Sequence, residues 1–367
     1  MKILVIWKAL VSEAYHKRFI ELAKFKGVEL ALVAPTKWHN TELEKTCCSE
    51  YKIIPGKIVL NGFNHFHWYL GLERIIRQVS PDILHIEEEH YSVVTYQAIR
   101  LAKKYNVKCV FVSLQNIYKI YPFPFSWIEK YNIKNADCAV AVSDEIRDVL
   151  VRKGLGKEQI PVIPYGVDHL MYRKIKSQKL KSKFRLDSFT IGYMGRFVKE
   201  KGIMDLLQAV SRINSDFNLL LVGSGKLRHK IKEEGRRLGL LEKITIVDSI
   251  SSSQVPYYLN CMDCLVLPSR TTRKWKEQFG RVLTEAMSCE VPVIGSDSGE
   301  IPNVIGDCGL VFKEGDVNDL SSKIKRLINN PGLRGELAKK GRQRVLEDFT
   351  QEKAARDTYK IYQKMVN

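Results

Sequence analysis

No apolar run in this 367-residue sequence approaches the roughly 20 residues that a helix needs to cross a lipid bilayer. The first residues also lack the long apolar core and the small-residue cleavage site of a secretory signal peptide. Internal repeats and low-complexity segments are absent as well. We therefore expect a cytoplasmic protein, with a peripheral position at the inner face of a membrane as an alternative.

Two motifs of other nucleotide and sugar enzymes are missing. The first apolar run, residues 3–7, is not followed by the G-x-G-x-x-G loop that binds a dinucleotide pyrophosphate, which argues against an NAD dehydrogenase. A later Gly223-Ser224-Gly225 turn has Arg228 where the third glycine would stand. We interpret this turn as shaping a donor site, with a simple strand-to-helix turn as an equal alternative. There is no D-x-D triad, so we expect neither a metal-dependent sugar transferase nor a metal site.

Eight cysteines in a chain of this length indicate a reducing compartment rather than a disulfide scaffold. Cys261 and Cys264 have the spacing of a redox or zinc pair, but no second ligand pair stands at zinc spacing. We expect both to be buried thiols where a helix passes into a strand. The adjacent Cys47 and Cys48 give no indication of function.

Basic residues outnumber acidic ones, 59 against 41, which gives a formal net charge of +18. The densest basic run lies between Arg173 and Arg185. We interpret it as a solvated linker between two domains, with contact to acidic lipid as the alternative. Nucleic-acid binding is a third reading, but no recognised nucleic-acid module accompanies the charge, so we expect no nucleic-acid partner.

Short apolar runs alternate with amphipathic helical patterns along the chain, which is typical of parallel sheets covered by helices on both faces. The alternation restarts after Asp168. We therefore predict an α/β protein with two Rossmann-like domains that face each other across a cleft, where open sheets bind ligands at the carboxyl ends of their strands. The predicted domains are residues 1–168 and 189–350, with a linker over 169–188 and a C-terminal helix over 351–367. The predicted strands are residues 3–7, 29–33, 83–86, 108–112 and 138–142, then 190–194, 218–222, 244–247, 264–267 and 292–295.

One segment of the second series offers cations beside a strand-to-helix loop. A buried strand is followed by Gly195-Arg196 and then by Lys201-Gly202, before a predicted helix over 203–213. A fork-shaped guanidinium and a compact ammonium in such a loop suit the two phosphates of a nucleotide.

A second segment offers carboxylates beside a helix N-terminus. Glu277 precedes Gly280 and a predicted helix that starts at Arg281, and Glu285 lies about one turn into that helix. The first backbone N–H groups of a helix have no partner within it and can bind an oxyanion. Carboxylates accept hydrogen bonds from sugar and ribose hydroxyls, so the two segments together suit a nucleotide-diphosphate sugar.

In order and spacing, these motifs resemble those of the retaining GT-B glycosyltransferases of family 4, the group 1 glycosyltransferases. The resemblance extends to residues 162–168 and 290–295, and it covers nearly all of the C-terminal half. It implies a metal-independent hexosyltransferase without a cofactor, which moves a sugar from a nucleotide-diphosphate sugar to a hydroxyl of a glycan or lipid-linked acceptor. It further implies a role in polysaccharide or lipopolysaccharide biosynthesis and a C-terminal helix that crosses back to the first domain.

The resemblance also implies roles for individual residues. Glu277 would bind donor-sugar hydroxyls, Glu285 would bind the ribose, and Arg196 with Lys201 would bind the diphosphate. Ordinary surface charge near a helix start or on a solvated loop is the alternative for all four. We take Glu277, Arg196 and Lys201 as catalytic candidates. The remaining donor-site candidates are Gly195, Gly223, Gln278, Phe279, Gly280, Arg281 and Val282.

The first domain has acceptor-side candidates near its predicted strand ends. His85, a fourth catalytic candidate, would position a sugar or an acceptor hydroxyl, and Glu87 and Glu88 would bind acceptor hydroxyls. Charged residues on a solvated loop are an equally good reading. Many relatives have a histidine after the next strand, where this chain has Gln115, which can hydrogen-bond a sugar but cannot act as an acid or base. Relatives also commonly have a glycine-rich phosphate loop after the first strand, and it is missing here.

Residues 63–69 and 118–125 are rich in aromatic side chains. Aromatic rings stack on sugars or rest at a lipid interface, and core packing explains many of them equally well.

The implied reaction is a front-face substitution, in which the departing phosphate oxygen takes the acceptor proton while Arg196 and Lys201 stabilise its growing charge. A double displacement with Glu277 as nucleophile stays open. The alternatives to a glycosyltransferase are another GT-B-like enzyme, such as a sugar-nucleotide epimerase or a phosphorylase, and a non-catalytic basic module that binds nucleic acid or an anionic membrane.

Overall fold

A computed structural model describes residues 1–44 and 49–367 of the chain, which form two compact units. Unit 1 comprises Met1–Gly166 and Gln351–Asn367, and unit 2 comprises Val167–Thr350. Cys47 and Cys48 lie outside the described residues. Nowhere in the described part of the chain is a helix both long and apolar enough to span a bilayer.

The first part of unit 1 alternates strands with helices. Its elements, in chain order, are β1 (Lys2–Ile6), α1 (Lys17–Ala23), β2 (Glu29–Pro35), β3 (Lys37–Trp38), β4 (Thr41–Glu42), β5 (Lys52–Val59), β6 (Trp68–Leu70), α2 (Leu72–Val79), β7 (Ile83–Ile86), α3 (Val93–Lys104), β8 (Lys108–Ser113), α4 (Phe125–Asn135), β9 (Cys138–Ala141) and α5 (Asp144–Arg152).

Unit 2 repeats the alternation, and the last helix returns to unit 1. The elements are α6 (Gln178–Lys183), β10 (Phe189–Met194), α7 (Ile203–Val210), β11 (Phe217–Val222), α8 (Arg228–Arg237), β12 (Ile244–Val247), α9 (Val255–Leu259), β13 (Cys264–Leu267), α10 (Arg281–Ser288), β14 (Val293–Ser296), α11 (Ile301–Ile305), β15 (Leu310–Phe312), α12 (Val317–Asn329), α13 (Pro331–Asp348) and, in unit 1, α14 (Gln351–Val366).

Each unit is built on one sheet. In unit 1 the strand order is β6-β5-β2-β1-β7-β8-β9, with β6 antiparallel to β5 and the other neighbours parallel. In unit 2 the order is β12-β11-β10-β13-β14-β15, with parallel neighbours throughout. The central strands are buried on both faces, so they read as continuous apolar runs rather than alternating ones. The predicted α/β class with two Rossmann-like domains is confirmed.

The strand order of unit 2 determines where its functional loops meet. From β10 the chain builds outward to β11 and β12 on one side, and then returns to β13, β14 and β15 on the other. Loops that leave the carboxyl ends of β10 and β13 therefore diverge around one crevice, which is where open α/β sheets bind ligands.

Most predicted elements are confirmed. The strands predicted at 244–247 and 264–267 coincide with β12 and β13, and the helix predicted to start at Arg281 is α10. Ser143 caps α5, because its hydroxyl accepts a hydrogen bond from the Ile146 N–H at 3.4 Å. The helix predicted over 203–213 is shorter, since α7 ends at Val210.

Strand β5 is not recognisable from the sequence. It contains Pro55 and Gly56, which normally argue against a strand. Gly56 is needed there because a Cβ atom at this position would lie 2.6 Å from the ring of Tyr69 on the neighbouring β6. Gly56 is therefore explained by the close packing of β5 against Tyr69 of β6.

The basic segment interpreted as a linker belongs to unit 2 and is packed against other residues of that unit. The Ile175 N–H donates to the Asn260 side chain at 2.9 Å, and the Ser177 hydroxyl donates to the Tyr257 carbonyl at 2.9 Å. Lys174 forms an ion pair with Glu290 at 3.0 Å. Residues of this segment are therefore held by hydrogen bonds, which a solvated linker would not make.

Cys261 and Cys264 are buried free thiols at the junction of α9 and β13, as expected. Burial raises the pKa of both thiols above the ordinary value, which disfavours the thiolate that redox or zinc chemistry needs.

Helix α14 packs on α1 in unit 1, and its buried Tyr362 reaches the sheet. The Tyr362 hydroxyl contacts Nδ1 of His85, and Nε2 of His85 lies 2.7 Å from a carboxylate oxygen of Glu87. Burial holds the pKa of His85 well below its ordinary value, and the nearby Arg18 lowers it further. The ring is therefore neutral, donating from Nε2 to Glu87 and accepting at Nδ1 from Tyr362.

This contact predicts that Tyr362 fastens the C-terminal helix to unit 1. We expect Tyr362→Ala to lower the free energy of unfolding by about 3–5 kcal/mol, because a fully buried ring is lost. Tyr362→Phe should cost about 1–3 kcal/mol, because only the partner of His85 Nδ1 is lost. Urea unfolding measures both. Val366→Ala, at a half-exposed site on the same helix, is the control, with a change within about 0.5 kcal/mol. A Tyr362→Ala value within that range would contradict the anchoring role.

Candidate functional site

The loop after β10 carries the predicted cations and is shaped by a glycine. Gly202 has a φ of 64°, and a Cβ atom on it would lie 1.7 Å from the carbonyl oxygen of Pro268. Only glycine fits this position, so the loop approaches the end of β13 closely. The Tyr193 hydroxyl donates to the Arg196 carbonyl at 2.8 Å and holds the start of the loop. Arg196 itself is exposed, whereas Lys201 is mostly buried.

Lys201 and Glu277 form the centre of the site. The Lys201 ammonium lies 2.6 Å from Oε2 of Glu277, and the Ser269 hydroxyl donates to the same oxygen at 2.7 Å. The Glu277 residue is only 6% exposed. The Trp275 ring lies 5.1 Å from the Lys201 ammonium, a cation–π distance. The two segments that the sequence singled out are thus joined by a shielded ion pair.

The loop after β14 supports the backbone of Glu277. Gly299 has a φ of 55°, and a Cβ atom there would lie 2.0 Å from the Glu277 carbonyl oxygen. The Glu300 N–H donates to the same carbonyl at 3.3 Å. Neighbouring loops of the sheet therefore fix Glu277 on two sides.

The N-terminus of α10 follows directly after Glu277. Gly280 adopts a left-handed conformation, with a φ of 81°, and turns the chain into the helix at Arg281. Glu285 lies one turn into the helix. Burial raises the pKa of Glu285 above its ordinary value, and the Arg281 guanidinium, 3.7 Å away, offsets part of this effect. The expected arrangement, a carboxylate beside a helix N-terminus, is present.

The other predicted donor-site residues lie around this centre. Phe279 is buried and packs edge-on against Phe349, with ring centroids 5.8 Å apart, while Gln278 and Val282 are half-buried. A Cβ atom on Gly223 would lie 2.0 Å from the Gly195 carbonyl oxygen, so this glycine lets the loops after β10 and β11 touch.

The sequence alone does not indicate three features of the site. Ser269 and Trp275 contact Glu277 and Lys201 directly, and Arg270 binds Asp205 of α7 through two hydrogen bonds of 2.5 and 2.7 Å. The position of Ser269 near the carboxyl end of β13 is a signal that could have identified it. No sequence pattern links Arg270 to Asp205, because the two stand 65 positions apart.

The acceptor-side candidates of unit 1 are buried rather than on a solvated loop, so that alternative is wrong for them. His85 lies within β7 and is 1% exposed, with both ring nitrogens engaged by Tyr362 and Glu87. Glu87 also pairs with Arg18, and Glu88 pairs with Lys8.

The side-chain amide of Gln115 also turns inward in unit 1. It donates to the Ile117 carbonyl at 2.8 Å, and the residue is 5% exposed. Each acceptor-side candidate thus has a structural partner inside unit 1, and their catalytic or acceptor roles stay predictions.

The geometry predicts that Lys201 and Glu277 are strongly coupled. We expect Lys201→Met to lower the free energy of unfolding by about 3 kcal/mol, because a buried carboxylate loses its cation. Adding Glu277→Gln should restore much of this loss, because the neutral amide can still accept from Ser269. Urea unfolding of the four chains of a double-mutant cycle measures the coupling. Lys174→Met, which breaks an exposed pair of similar length, should cost less than about 1 kcal/mol. A Lys201–Glu277 coupling below about 0.5 kcal/mol would show that the pair is not coupled.

Two family models match the chain. Glycosyl transferases group 1 matches residues 174–344, and Glycosyltransferase Family 4 matches residues 19–169. A similar curated protein is the capsular polysaccharide biosynthesis glycosyltransferase CapM of Staphylococcus aureus, which is 32% identical over 235 residues. That match covers 61% of this chain and spans 60% of the length of CapM.

Solved structures share the fold at low identity. The crystal structure of a glycosyltransferase from Rickettsia africae has a TM-score of 0.80 at 22% identity and covers all of this chain and 98% of its own. Anabaena HepE in complex with UDP has a TM-score of 0.76 at 16% identity, covering 99% of this chain and all of its own. The solved structures show the shared GT-B fold, and the two family models show that the chain belongs to the GT-B glycosyltransferases of the group 1 and family 4 type.

Proposed function

We propose that this protein is a retaining glycosyltransferase, which moves a hexose from a nucleotide-diphosphate sugar to a hydroxyl of a glycan or lipid-linked acceptor. The observation that carries the proposal is the shielded Lys201–Glu277 pair beside the N-terminus of α10. A nucleotide-diphosphate sugar needs cations and free N–H groups for its diphosphate, and carboxylates for the hydroxyls of its ribose and its sugar. Groups of all three kinds are found at this place.

Each part of the donor has a partner of matching chemistry. The diphosphate would take hydrogen bonds from Arg196, from Lys201 and from the first N–H groups of α10. Glu277 would accept from hydroxyls of the donor sugar, and Glu285 from those of the ribose. Fixed cations would stabilise the leaving diphosphate, so the proposed reaction needs neither a metal nor a cofactor. HepE, a structural neighbour, has been crystallised with UDP, which makes UDP the first nucleotide to test.

Retention would follow from a front-face substitution. The acceptor oxygen forms a bond to the anomeric carbon on the side from which the phosphate oxygen departs, and that oxygen takes the acceptor proton. Glu277 Oε2 is engaged by Lys201 and Ser269, which lowers its power as a nucleophile and favours a binding role. This supports front-face substitution over a double displacement through Glu277.

Two further observations support the proposed acceptor class and location. CapM, named for capsular polysaccharide biosynthesis, supports a glycan acceptor and a role in polysaccharide or lipopolysaccharide assembly. The buried free thiols of the described residues suit a reducing compartment, which supports a cytoplasmic location.

The donor site is tested by thermal unfolding with UDP, GDP, ADP and their sugars. We expect one nucleotide to raise the unfolding temperature by several degrees when it is present at about 100 times its dissociation constant. Arg196→Ala should weaken binding of that nucleotide about tenfold or more, because a charge-assisted hydrogen bond to phosphate is lost. Arg236→Ala, an exposed arginine on α8, is the matched control and should bind as the unchanged protein does. If no nucleotide stabilises the folded protein, the proposed donor site is wrong.

Once the donor is known, the anomeric configuration of the product tests retention. Proton NMR of the first product should show the configuration of the donor sugar. An inverted product would contradict the retaining mechanism while leaving the donor site intact.

The raised pKa of Glu285 predicts a pH dependence of donor binding. In the free protein, burial favours the protonated carboxyl of Glu285, so ionisation of this group as pH rises lowers the free energy of unfolding. Ribose hydroxyls donate to the ionised carboxylate of Glu285, so binding of the nucleotide sugar should lower the pKa of this group. The affinity for the nucleotide sugar should therefore decrease as pH falls from about 7 to about 5. Calorimetric titration with the nucleotide sugar should show this slope. Glu285→Gln should remove it, and Glu290→Gln, at a partly exposed site, should keep it. An unchanged slope in Glu285→Gln would place the titrating group elsewhere.

A further inference from the structure

Unit 1 exposes large apolar side chains in two segments that touch each other. The Ile120 side chain is 87% exposed and that of Phe123 is 81% exposed, values that are unusual for apolar residues. The rings of Phe66 and Phe125 meet edge to face with centroids 4.6 Å apart, so the segment around residue 66 adjoins residues 120–127. We call this surface the apolar tip, and its residues are Phe66, Ile120, Phe123, Phe125 and Trp127.

The loop that carries the tip is firmly attached to unit 1. The Tyr121 ring stacks on Tyr91 with centroids 4.3 Å apart. The Lys153 ammonium donates to the Lys119 carbonyl at 2.8 Å and also lies 4.7 Å from the Tyr118 ring centroid. The loop thus turns polar groups inward and holds Ile120 and Phe123 outward. This arrangement suits a surface that meets an apolar medium.

Helix α4, which contains Phe125 and Trp127 of the tip, and the adjoining helix α3 both expose cations. On α4, Trp127, Lys130 and Lys134 stand three and four positions apart and therefore share one face. The single acid of α4, Glu129, turns inward to Lys153 at 2.6 Å and to His90 at 3.1 Å.

Helix α3 adjoins α4 and contains no acid at all. Its Tyr96 ring lies 5.1 Å from that of Trp127. It exposes Arg100, Lys103 and Lys104, of which Lys104 pairs with Glu73 of α2. The exposed ionic charge contributed by α3 and α4 is therefore cationic.

We propose that the apolar tip and the cations of α3 and α4 form a docking surface for an anionic lipid bilayer. The tip enters the interfacial region, and the lysine and arginine side chains meet headgroup phosphates. A bilayer fits better than a folded protein partner, because exposed rings on a loop need only a fluid apolar medium. It also fits better than nucleic acid, which offers phosphates but no apolar layer for Ile120 and Phe123.

The proposed function gains a substrate class from this surface. If the protein transfers sugars as proposed, the docking surface would bring unit 1 to acceptors that are anchored in the bilayer. That consequence rests on the proposed function, whereas docking itself does not. The basic residues 173–185 belong to unit 2, where their segment is packed, and are not part of the proposed docking surface on unit 1.

Vesicle flotation of the full chain tests the proposal. The vesicles are phosphatidylcholine alone and phosphatidylcholine mixed with phosphatidylglycerol. We expect the chain to float with the mixed vesicles and far less with the neutral ones, and added salt should reduce flotation. Ile120→Ser with Phe123→Ser, and separately Lys130→Glu with Lys134→Glu, should each lower the partition coefficient about tenfold or more.

A matched control separates a local surface from the general basic character of the chain. Lys325→Glu with Lys339→Glu changes the net charge equally, at exposed helical positions of unit 2. This variant should float almost as the unchanged chain does. Equal loss in the control would overturn the proposal, and so would an unchanged partition coefficient in either unit 1 variant. Loss in the lysine variant alone would indicate a general polyanion site and would also overturn it.

The nucleotide assay keeps the two proposals distinguishable. All substituted side chains are exposed, so each variant should unfold at nearly the temperature of the unchanged chain. Each should keep the stabilisation by the nucleotide, because the donor-site residues of unit 2 are unaltered. Normal flotation without nucleotide binding would refute the donor site alone, and nucleotide binding without flotation would refute the docking surface alone.

Discussion

The ion pair between Lys201 and Glu277 is the interaction on which the candidate site depends. It joins the loop after β10 to the loop after β13, and the Ser269 hydroxyl binds the same carboxylate oxygen. The Glu277 carboxylate is only 6% exposed, and burying it without a cation would be costly. If either loop moved away, a buried charge would lose its partner or become exposed to solvent. The pair therefore fixes the distance between the cation proposed to bind the diphosphate and the carboxylate proposed to bind the donor sugar. The same two partners, Lys201 and Ser269, engage Oε2 of Glu277, which supports the binding role proposed for this carboxylate.

Close backbone approaches make this pair geometrically feasible. Three glycines let neighbouring loops touch: Gly202 against Pro268, Gly223 against Gly195, and Gly299 against Glu277. Each stands in a loop after a strand of the same parallel sheet, Gly202 after β10, Gly223 after β11 and Gly299 after β14. A side chain at any of the three would push apart loops that must meet. The order of strands thus determines which loops are neighbours, and the glycines determine how closely they approach.

Much of this arrangement could be predicted from the sequence, and the remainder has identifiable reasons. Short, mostly apolar runs locate the partly buried edge strand β12 and the fully buried β13, and a glycine before a helix-forming run locates the start of α10 at Arg281. Burial of His85 could not be predicted, because it depends on Tyr362, which stands 277 positions later in the chain. Arg270 and Asp205 are paired across the fold for a similar reason. The spacing of apolar residues indicates the local helix or strand. The partners of a side chain depend instead on which elements the topology brings together.

The charge of the surface on unit 1 is determined partly by its interior. Burial alone would lower the pKa of His90, but hydrogen bonds to Glu129 and Glu89 outweigh that effect and raise it. The same contacts, with Lys153, hold the pKa of Glu129 below its ordinary value despite the cost of burial. The acid of α4 is therefore kept ionised and turned inward, which leaves Lys130 and Lys134 unopposed by an acid of their own helix. Because Lys153 also binds the loop at Lys119, one buried network controls both the position of the apolar tip and the sign of the charge beside it.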